Sequence, residues 1–238
     1  MSDRYGADAG SDGSAVVAGC SSRKQLAGCR SPFPITTARS GGLDEQRQRY
    51  LRMSNRSTSD APLVSVVLPT YGRPALVRKA VASVGAQTYP NVELLVVDDC
   101  SPTPVKQALE KLSLGPSITV RVLRHGENRG GNAARNTGIR VAAGEYVAFL
   151  EDDDRWHPEK FDRQVRAFRE SSPAVGAVCV GQRFVDDRGE TTQLRMPSAS
   201  GDVTEAVLRG ATLGPFSTLM VRADVIEAVG FPDERFPA

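Results

Sequence analysis

Histidine is nearly missing from this chain, with two in 238 residues. Neither His125 nor His157 has an Asp, Ser or metal-ligand partner at a readable spacing, so both are expected to be structural or solvent-facing. The four cysteines, Cys20, Cys29, Cys100 and Cys179, form no CxxC or Cys/His pattern. Neither a zinc site nor a disulfide framework is therefore indicated, and a reduced, cytoplasmic chain is the simpler reading. No run approaches the roughly 18 to 20 apolar residues of a spanning helix, and the N-terminus lacks the continuous apolar core of a signal peptide. A formal net charge of +2 is too small to steer the molecule onto nucleic acid, and no nucleic-acid partner is expected. The glycine-rich "NRGGN" has neither Walker spacing nor the GxGxxG pattern of a phosphate loop.

What is present divides at about residue 60. Residues 1–60 are rich in Ser, Gly, Ala, Arg and Asp, as in "ADAGSDGSA" and "RSGGLDEQRQRY", and show no sustained period of 2 or 3.6. Such a segment cannot bury enough surface to offset its ordering entropy, so residues 1–60 are expected to be a disordered tail and 61–238 a single domain. The tail holds 9 Lys+Arg against 6 Asp+Glu, leaving 21 against 22 of the chain's 30 and 28 for the remainder, which is close to neutral. Met53 opens a short polar lead into the first apolar run and is a natural start.

From Val64 onward, "VSVVLP" (64–69), "VELLVVD" (92–98), "ITVRVL" (118–123) and "YVAFL" (146–150) read as strands. Two of them are nearly continuous in apolar character, as strands covered on both faces would be. "RPALVRKAVASVGAQ" places Pro74 in a first helical turn and Leu76, Val77, Ala80, Val81 and Val84 on one stripe. "TPVKQALEKL" and "GNAARNTGIRVAAG" fill the next gaps, with Gly144 expected as a C-terminal cap. The alternation predicts an α/β fold: a mostly parallel central sheet with flanking helices and right-handed crossovers.

In such a sheet the segments that follow the strands share one edge, where open α/β sheets bind ligands. Those segments are "PTYGR", "DDCS" and "EDDDRW". Carboxylates and a hydroxyl with few His or Cys suit a hard cation, Mg²⁺ or Mn²⁺. Acids between a strand and a helix are also ordinary helix N-terminal residues, and "DDRWHPEK" could simply cap the helix begun by Pro158. For an isolated acidic run that plain reading would prevail; acids and a hydroxyl at three strand ends lower its weight.

The stretches "VSVVLPTYGRPALVRKAVASVGAQTYPNVELLVVDDCS" and "ENRGGNAARNTGIRVAAGEYVAFLEDDDRWHPEKF" resemble the N-terminal half of the family 2 glycosyltransferases. These are inverting enzymes with the Rossmann-like, nucleotide-sugar-binding glycosyltransferase-A fold, and the resemblance runs from about Val64 to Phe236. It implies that Pro69, Thr70 and Tyr71 line the nucleotide pocket and that Asp99 hydrogen-bonds the donor's base. Arg135 and Asn136 match a family motif beside the donor, with Arg135 the diphosphate neighbour. Asp152 would contact ribose or sugar and Asp153 would hold the metal of the DxD region. The implied partners are a nucleotide-sugar donor and a glycan, lipid-linked or protein acceptor, with cell-surface glycan synthesis at the inner face of the membrane as the setting.

The departures matter as well. Glu151 stands where the family often has Asp, and its longer side chain gives no reason to assign it a metal bond. Gly72 replaces a common Asn. Cys100 replaces Gly or Asn and is expected to be a buried, inert thiol. Trp156 is expected in the core or packed on a helix. In the family the general base is an acid of an "ED" pair downstream of a glycine-phenylalanine segment, and Asp233 and Glu234 match the acids just after that segment instead. The base is thus expected beyond Ala238. The alternative function is a nucleotide-sugar-binding remnant without turnover. A nucleotidyltransferase is disfavoured because no GxGxR-type loop follows the first strand.

Overall fold

The computed structural model describes residues 4–5, 16–19, 61–110, 112–186, 188–211 and 213–236. The elements in chain order are β1 (Arg4–Tyr5), β2 (Val16–Gly19), β3 (Val64–Thr70), α1 (Pro74–Gly85), β4 (Val92–Asp98), α2 (Val105–Leu109), β5 (Ile118–Arg124), α3 (Gly131–Val141), β6 (Tyr146–Phe149) and α4 (Lys160–Glu170). There follow β7 (Val175–Cys179), β8 (Gln182–Val185), β9 (Thr191–Arg195), β10 (Gly201–Asp202), α5 (Thr204–Leu208), a 3₁₀ turn (Phe216–Thr218), β11 (Leu219–Arg222) and α6 (Ala223–Val229).

Among the described residues the main sheet has eight strands in the order β10-β2-β7-β11-β6-β3-β4-β5, and β1-β8-β9 form a smaller one. β5, β4, β3 and β6 are mutually parallel, whereas β11 runs antiparallel between β6 and β7. The expected strands are all present. Every residue of β3 and β4 is buried, which explains their unbroken apolar character: both faces are covered, so no face has to be polar. On α1, Val77, Ala80, Val81 and Val84 face the core as the 3.6 period requires.

Pro69 lies in a central strand, where a missing N–H would ordinarily break a ladder. Here the carbonyl of Val67 accepts from the N–H of Leu150 on the β6 side, and β6 ends at Phe149, opposite Val67. Two residues on, Pro69 faces that same side beyond the end of β6, where the strand needs no donor.

Several expectations change. Arg4–Tyr5 and Val16–Gly19, inside the tail read as disordered, are strands, β1 pairing with β8 and β2 lying between β10 and β7. The rest of 1–60, with Met53, lies outside the described residues. Helix α2 covers five residues only. Helix α3 ends at Val141, and Gly144 is no left-handed cap. A Cβ on Gly144 would lie 2.6 Å from Ser65 Oγ and 2.7 Å from the Leu63 carbonyl, so its glycine is required by close approach to β3. Gly138 plays the same part for α3, where a Cβ would meet Val67 Cγ1 at 2.5 Å.

Candidate functional site

The parallel strands deliver four chain ends to one edge of the sheet, and hydrogen bonds lace them together. The Asp99 N–H donates to the Thr70 carbonyl at 2.9 Å, joining the ends of β3 and β4. Gly72 N–H donates to Ser101 Oγ at 2.9 Å. Thr70 Oγ1 donates to Asp152 Oδ2 at 2.8 Å, reaching across 82 residues of sequence to the segment after β6. The convergence expected of "PTYGR", "DDCS" and "EDDDRW" is therefore present.

The two aspartates after β4 hold the surrounding backbone. Asp98 accepts from the N–H groups of Ser101 (2.8 Å) and Val105 (3.1 Å) and from Arg124. Burial pushes its carboxyl upward, but these donors outweigh burial and hold it below the usual carboxylate range. Asp99 is 3% exposed. Its oxygens accept from Arg129 N–H (2.9 Å) and Gly130 N–H (2.7 Å), and His125 Nδ1 lies 2.6 Å from Oδ1. His125 Nε2 meets Thr137 Oγ1 at 2.9 Å. The expectation that His125 has no Asp partner is thereby corrected: the parallel pairing of β4 and β5 brings together residues 26 apart in sequence, a distance no local spacing can reveal. Asp99 anchors the turn into α3, and its Oδ2, with one protein donor, keeps acceptor capacity.

Two arginines meet the first three acids of the run after β6. Glu151 Oε1 lies 2.6 Å from Arg135, whose side chain is 4% exposed. Arg135 also donates to Asn132 Oδ1 at 2.9 Å, and its guanidinium lies 4.4 Å from the Phe216 ring centroid. Arg135 is thus a buried counter-charge to the acidic loop, and direct contact with a diphosphate would require this pair to open. Asp152 is buried. Arg73 donates to its Oδ1 at 3.1 Å and sits 3.5 Å from Asp153 Oδ2. Burial raises the Asp152 carboxyl above its ordinary pKa; Thr70 and Arg73 oppose this only in part, and Asp153 adds to it. The Asp153 side chain is 41% exposed, and Tyr71 is 50% exposed. Arg73 went unnoticed in the sequence because its partners are 79 and 80 residues away; its place three residues after Thr70, the last residue of β3, was the available signal.

Behind the loop, Ser217 Oγ accepts from the Glu151 N–H at 3.0 Å and its carbonyl accepts from Trp156 Nε1 at 2.8 Å. Ser217 was not singled out in the sequence. Trp156 is buried, edge-on to Phe161 with ring centroids 5.0 Å apart. Cys100, expected to be buried, is half-buried, with Sγ 3.4 Å from the Gly126 carbonyl, because the tight turn after β4 points it along the β5 end. Beside Asp99 lies an open depression of about 690 Å³ lined by Arg124, His125, Gly126, Glu127 and Arg129; neither Asp152 nor Asp153 borders it.

Among the described residues no group of three or more His, Cys, Asp or Glu is arranged to hold a metal ion. The donor set does fit a hard divalent cation of the kind held by one or two carboxylates and completed by substrate phosphates, with Asp153 as the accessible carboxylate. The C-terminal acids are tied up otherwise. Hydrogen bonds from Arg235 push Asp233 down to about 2. Glu234 accepts from Asn136 at 2.9 Å and pairs with Arg129 at 3.2 Å, which lowers its pKa as well. Among the described residues no helix is long and apolar enough to cross a membrane.

Comparison with known proteins agrees with this geometry. The model of the family described as Glycosyl transferase family 2 matches residues 65–228. The chain is 32% identical over 179 residues to the glycosyltransferase AglE of Haloferax volcanii, covering 74% of this chain and 58% of that protein. It is 37% identical over 118 residues to TuaG of Bacillus subtilis, a glycosyltransferase named for teichuronic acid biosynthesis, covering 49% and 46%. The chain thus spans about half the length of these curated relatives. A solved structure, the mannosyltransferase PcManGT from Pyrobaculum calidifontis in complex with GDP-Man and Mn²⁺, matches with a TM-score of 0.53 at 22% identity, covering 80% of this chain and 55% of that one. At that identity the likeness establishes the fold, which is the glycosyltransferase-A arrangement.

Proposed function

Because this chain belongs to glycosyl transferase family 2, we propose that it forms the donor-binding part of an enzyme that moves a sugar from a nucleotide donor to an acceptor hydroxyl with inversion. The observation that carries this reading is the juxtaposition of Thr70, Arg73, Asp152 and Asp153 at the ends of β3 and β6, beside the Asp99 system at the ends of β4 and β5. A nucleoside diphosphate repels bare carboxylates unless a cation bridges them. In this reading Asp153 holds Mg²⁺ or Mn²⁺, which when bound neutralises charge on the departing diphosphate. Thr70 fixes Asp152, which faces the ribose or sugar, and Pro69 and Tyr71 border the nucleotide. The free acceptor capacity of Asp99 serves the base, and the adjoining depression with its two arginines gives the nucleotide room. Arg135 supports the diphosphate region through Glu151. The acceptor is a glycan or a lipid- or protein-linked sugar; the name of TuaG supports the polysaccharide choice.

Direct displacement requires a base to take the acceptor's proton. Asp233 is engaged by Arg235, and Glu234 by Asn136 and Arg129, and the base is taken to lie outside the described residues. The same observation favours, as a second reading, a donor-binding domain without turnover. Release of nucleoside diphosphate from whichever donor binds, measured with and without added acceptor, separates the two.

The binding reading is tested by calorimetry with uridine and guanosine diphosphates in Mn²⁺. Binding of the preferred diphosphate should require the metal and be lost in Asp153→Asn. Equal affinity in variant and parent would remove Asp153 from the metal site.

A further inference from the structure

Arg73 stands out because it occupies the position that a cation would take. One of its terminal nitrogens is 3.1 Å from Asp152 Oδ1 and 3.5 Å from Asp153 Oδ2, so a single positive charge lies between the two carboxylates of the acidic run. The other oxygen of Asp152 is taken by Thr70 Oγ1. This carboxylate is therefore fixed from one side by a hydroxyl on β3 and from the other by a guanidinium one turn further along the same segment. Arg73 itself is not fixed in the same way: its side chain is 54% exposed, while that of Asp152 is 8% exposed. It immediately precedes α1, whose Pro74 starts the helix, so its backbone is anchored while the long side chain can withdraw into solvent.

We propose that Arg73 is a built-in counter-ion that holds Asp152 and Asp153 in place and must be displaced when a divalent cation reaches Asp153. The inference rests on the assignment of Asp153 as the metal carboxylate. Two cations cannot share the space between these oxygens, because a divalent ion some 4 Å from a guanidinium is repelled by it even in water-like surroundings. Arg73 therefore sets the threshold for metal entry. Without it, the acid pair would be uncompensated and would take a divalent ion more readily; with it, the pair stays oriented and little metal is held until the ion is abundant or arrives with phosphates. Because the competition is electrostatic and half-exposed, it weakens with salt. A purely structural Arg73 would behave in the opposite way, since its loss would disorder the pair and weaken metal binding.

The test is Mn²⁺ affinity of the full chain without nucleotide, read by electron paramagnetic resonance of free and bound ion. Arg73→Gln should bind Mn²⁺ about 5- to 30-fold more tightly than the parent at low salt, the size expected for removing one charge beside a divalent ion, and the gap should close at about 1 M salt. Arg73→Lys, which keeps the charge, should stay within about 2-fold of the parent by the same electrostatic argument. An Arg73→Gln protein that binds Mn²⁺ no more tightly than the parent, or not at all, overturns the proposal. A measurement that needs no variant is the Arg73 side-chain Nε–H resonance, which should move toward the free-arginine position as Mg²⁺ is added; a resonance unmoved at saturating Mg²⁺ also overturns it. Asp153→Asn measured alongside keeps the two ideas apart. If it abolishes Mn²⁺ binding while Arg73→Gln changes nothing, the metal assignment stands and the counter-ion falls. If it binds like the parent, both fall.

Discussion

Cys100 has φ of 66°, and among the described residues it is the non-glycine residue found in the left-handed region. The conformation is imposed by its neighbours. Asp99 N–H is bound to Thr70, and Ser101 N–H is bound to the Asp98 carboxylate at 2.8 Å, so the residue between them must turn sharply. A Cβ in this region costs on the order of 1 kcal/mol, while glycine restores part of that cost through the entropy of the unfolded chain. Cys100→Gly should therefore raise stability by up to ~1 kcal/mol, and Cys100→Val should lower it by ~1–2 kcal/mol because a β-branched side chain fits the region poorly. Urea unfolding of the three proteins checks both signs. The neighbouring site residues were legible in part. The segments holding Thr70, Asp99, Asp152 and Asp153 could be placed because they follow strand ends, and the family resemblance then singled out these residues within them. Arg73, His125 and Ser217 could not be named, because each acts through a partner brought close only by strand pairing.

At the level of elements, period and length were readable where an element is continuous and buried on one or both faces, as in β3, β4 and α1. The region from β7 to α6 was far less so. β9 is exposed throughout and α5 buries no residue, so neither carries an apolar signature. Helix α4 did carry one, yet it hides a charge within it. Lys160 is fully buried, its ammonium donating to Gln164 Oε1 at 2.7 Å and lying 4.2 Å from the centroid of the Trp156 ring. Burial lowers its pKa to about 7, against about 10.4 in an unfolded chain. Below pH 7 both states are charged and the penalty of burial stands in full. Between about 7 and 10 the unfolded chain holds a proton that the folded one lacks, so stability contributed at this position rises with pH. The parent should gain ~3 kcal/mol relative to Lys160→Met between pH 7 and pH 10. Urea midpoints at the two pH values measure it, and a constant difference would show that the lysine stays charged when buried.

Across the whole molecule, burial is uneven. The strands β3, β4 and β6 and the inner face of α1 form a dense centre, while residues 188–211 lie over the surface with Leu194 67% and Leu208 83% exposed. Amides of β3 and β4 should exchange with deuterium only through global opening, and those of β9 and α5 should exchange through local opening. Exchange read by mass spectrometry should therefore rank these segments far apart, and within residues 61–236 limited trypsin digestion should cut first at Arg188, Arg195 or Arg209. Comparable protection of β9 and β3 would contradict this distribution of stability.

The placement of β11 also has a consequence in time. This strand lies between β6 and β7 although it follows both in the chain, so on a ribosome those two must wait side by side, unjoined, until residue 222 has emerged. Ser217, which braces the acidic loop at Glu151 and Trp156, arrives in the same late stretch. The acids are synthesised early, and the brace that gives their loop its final shape comes some sixty residues afterwards. The edge of the sheet that carries Asp152 and Asp153 therefore takes its final shape only after residue 217 has emerged.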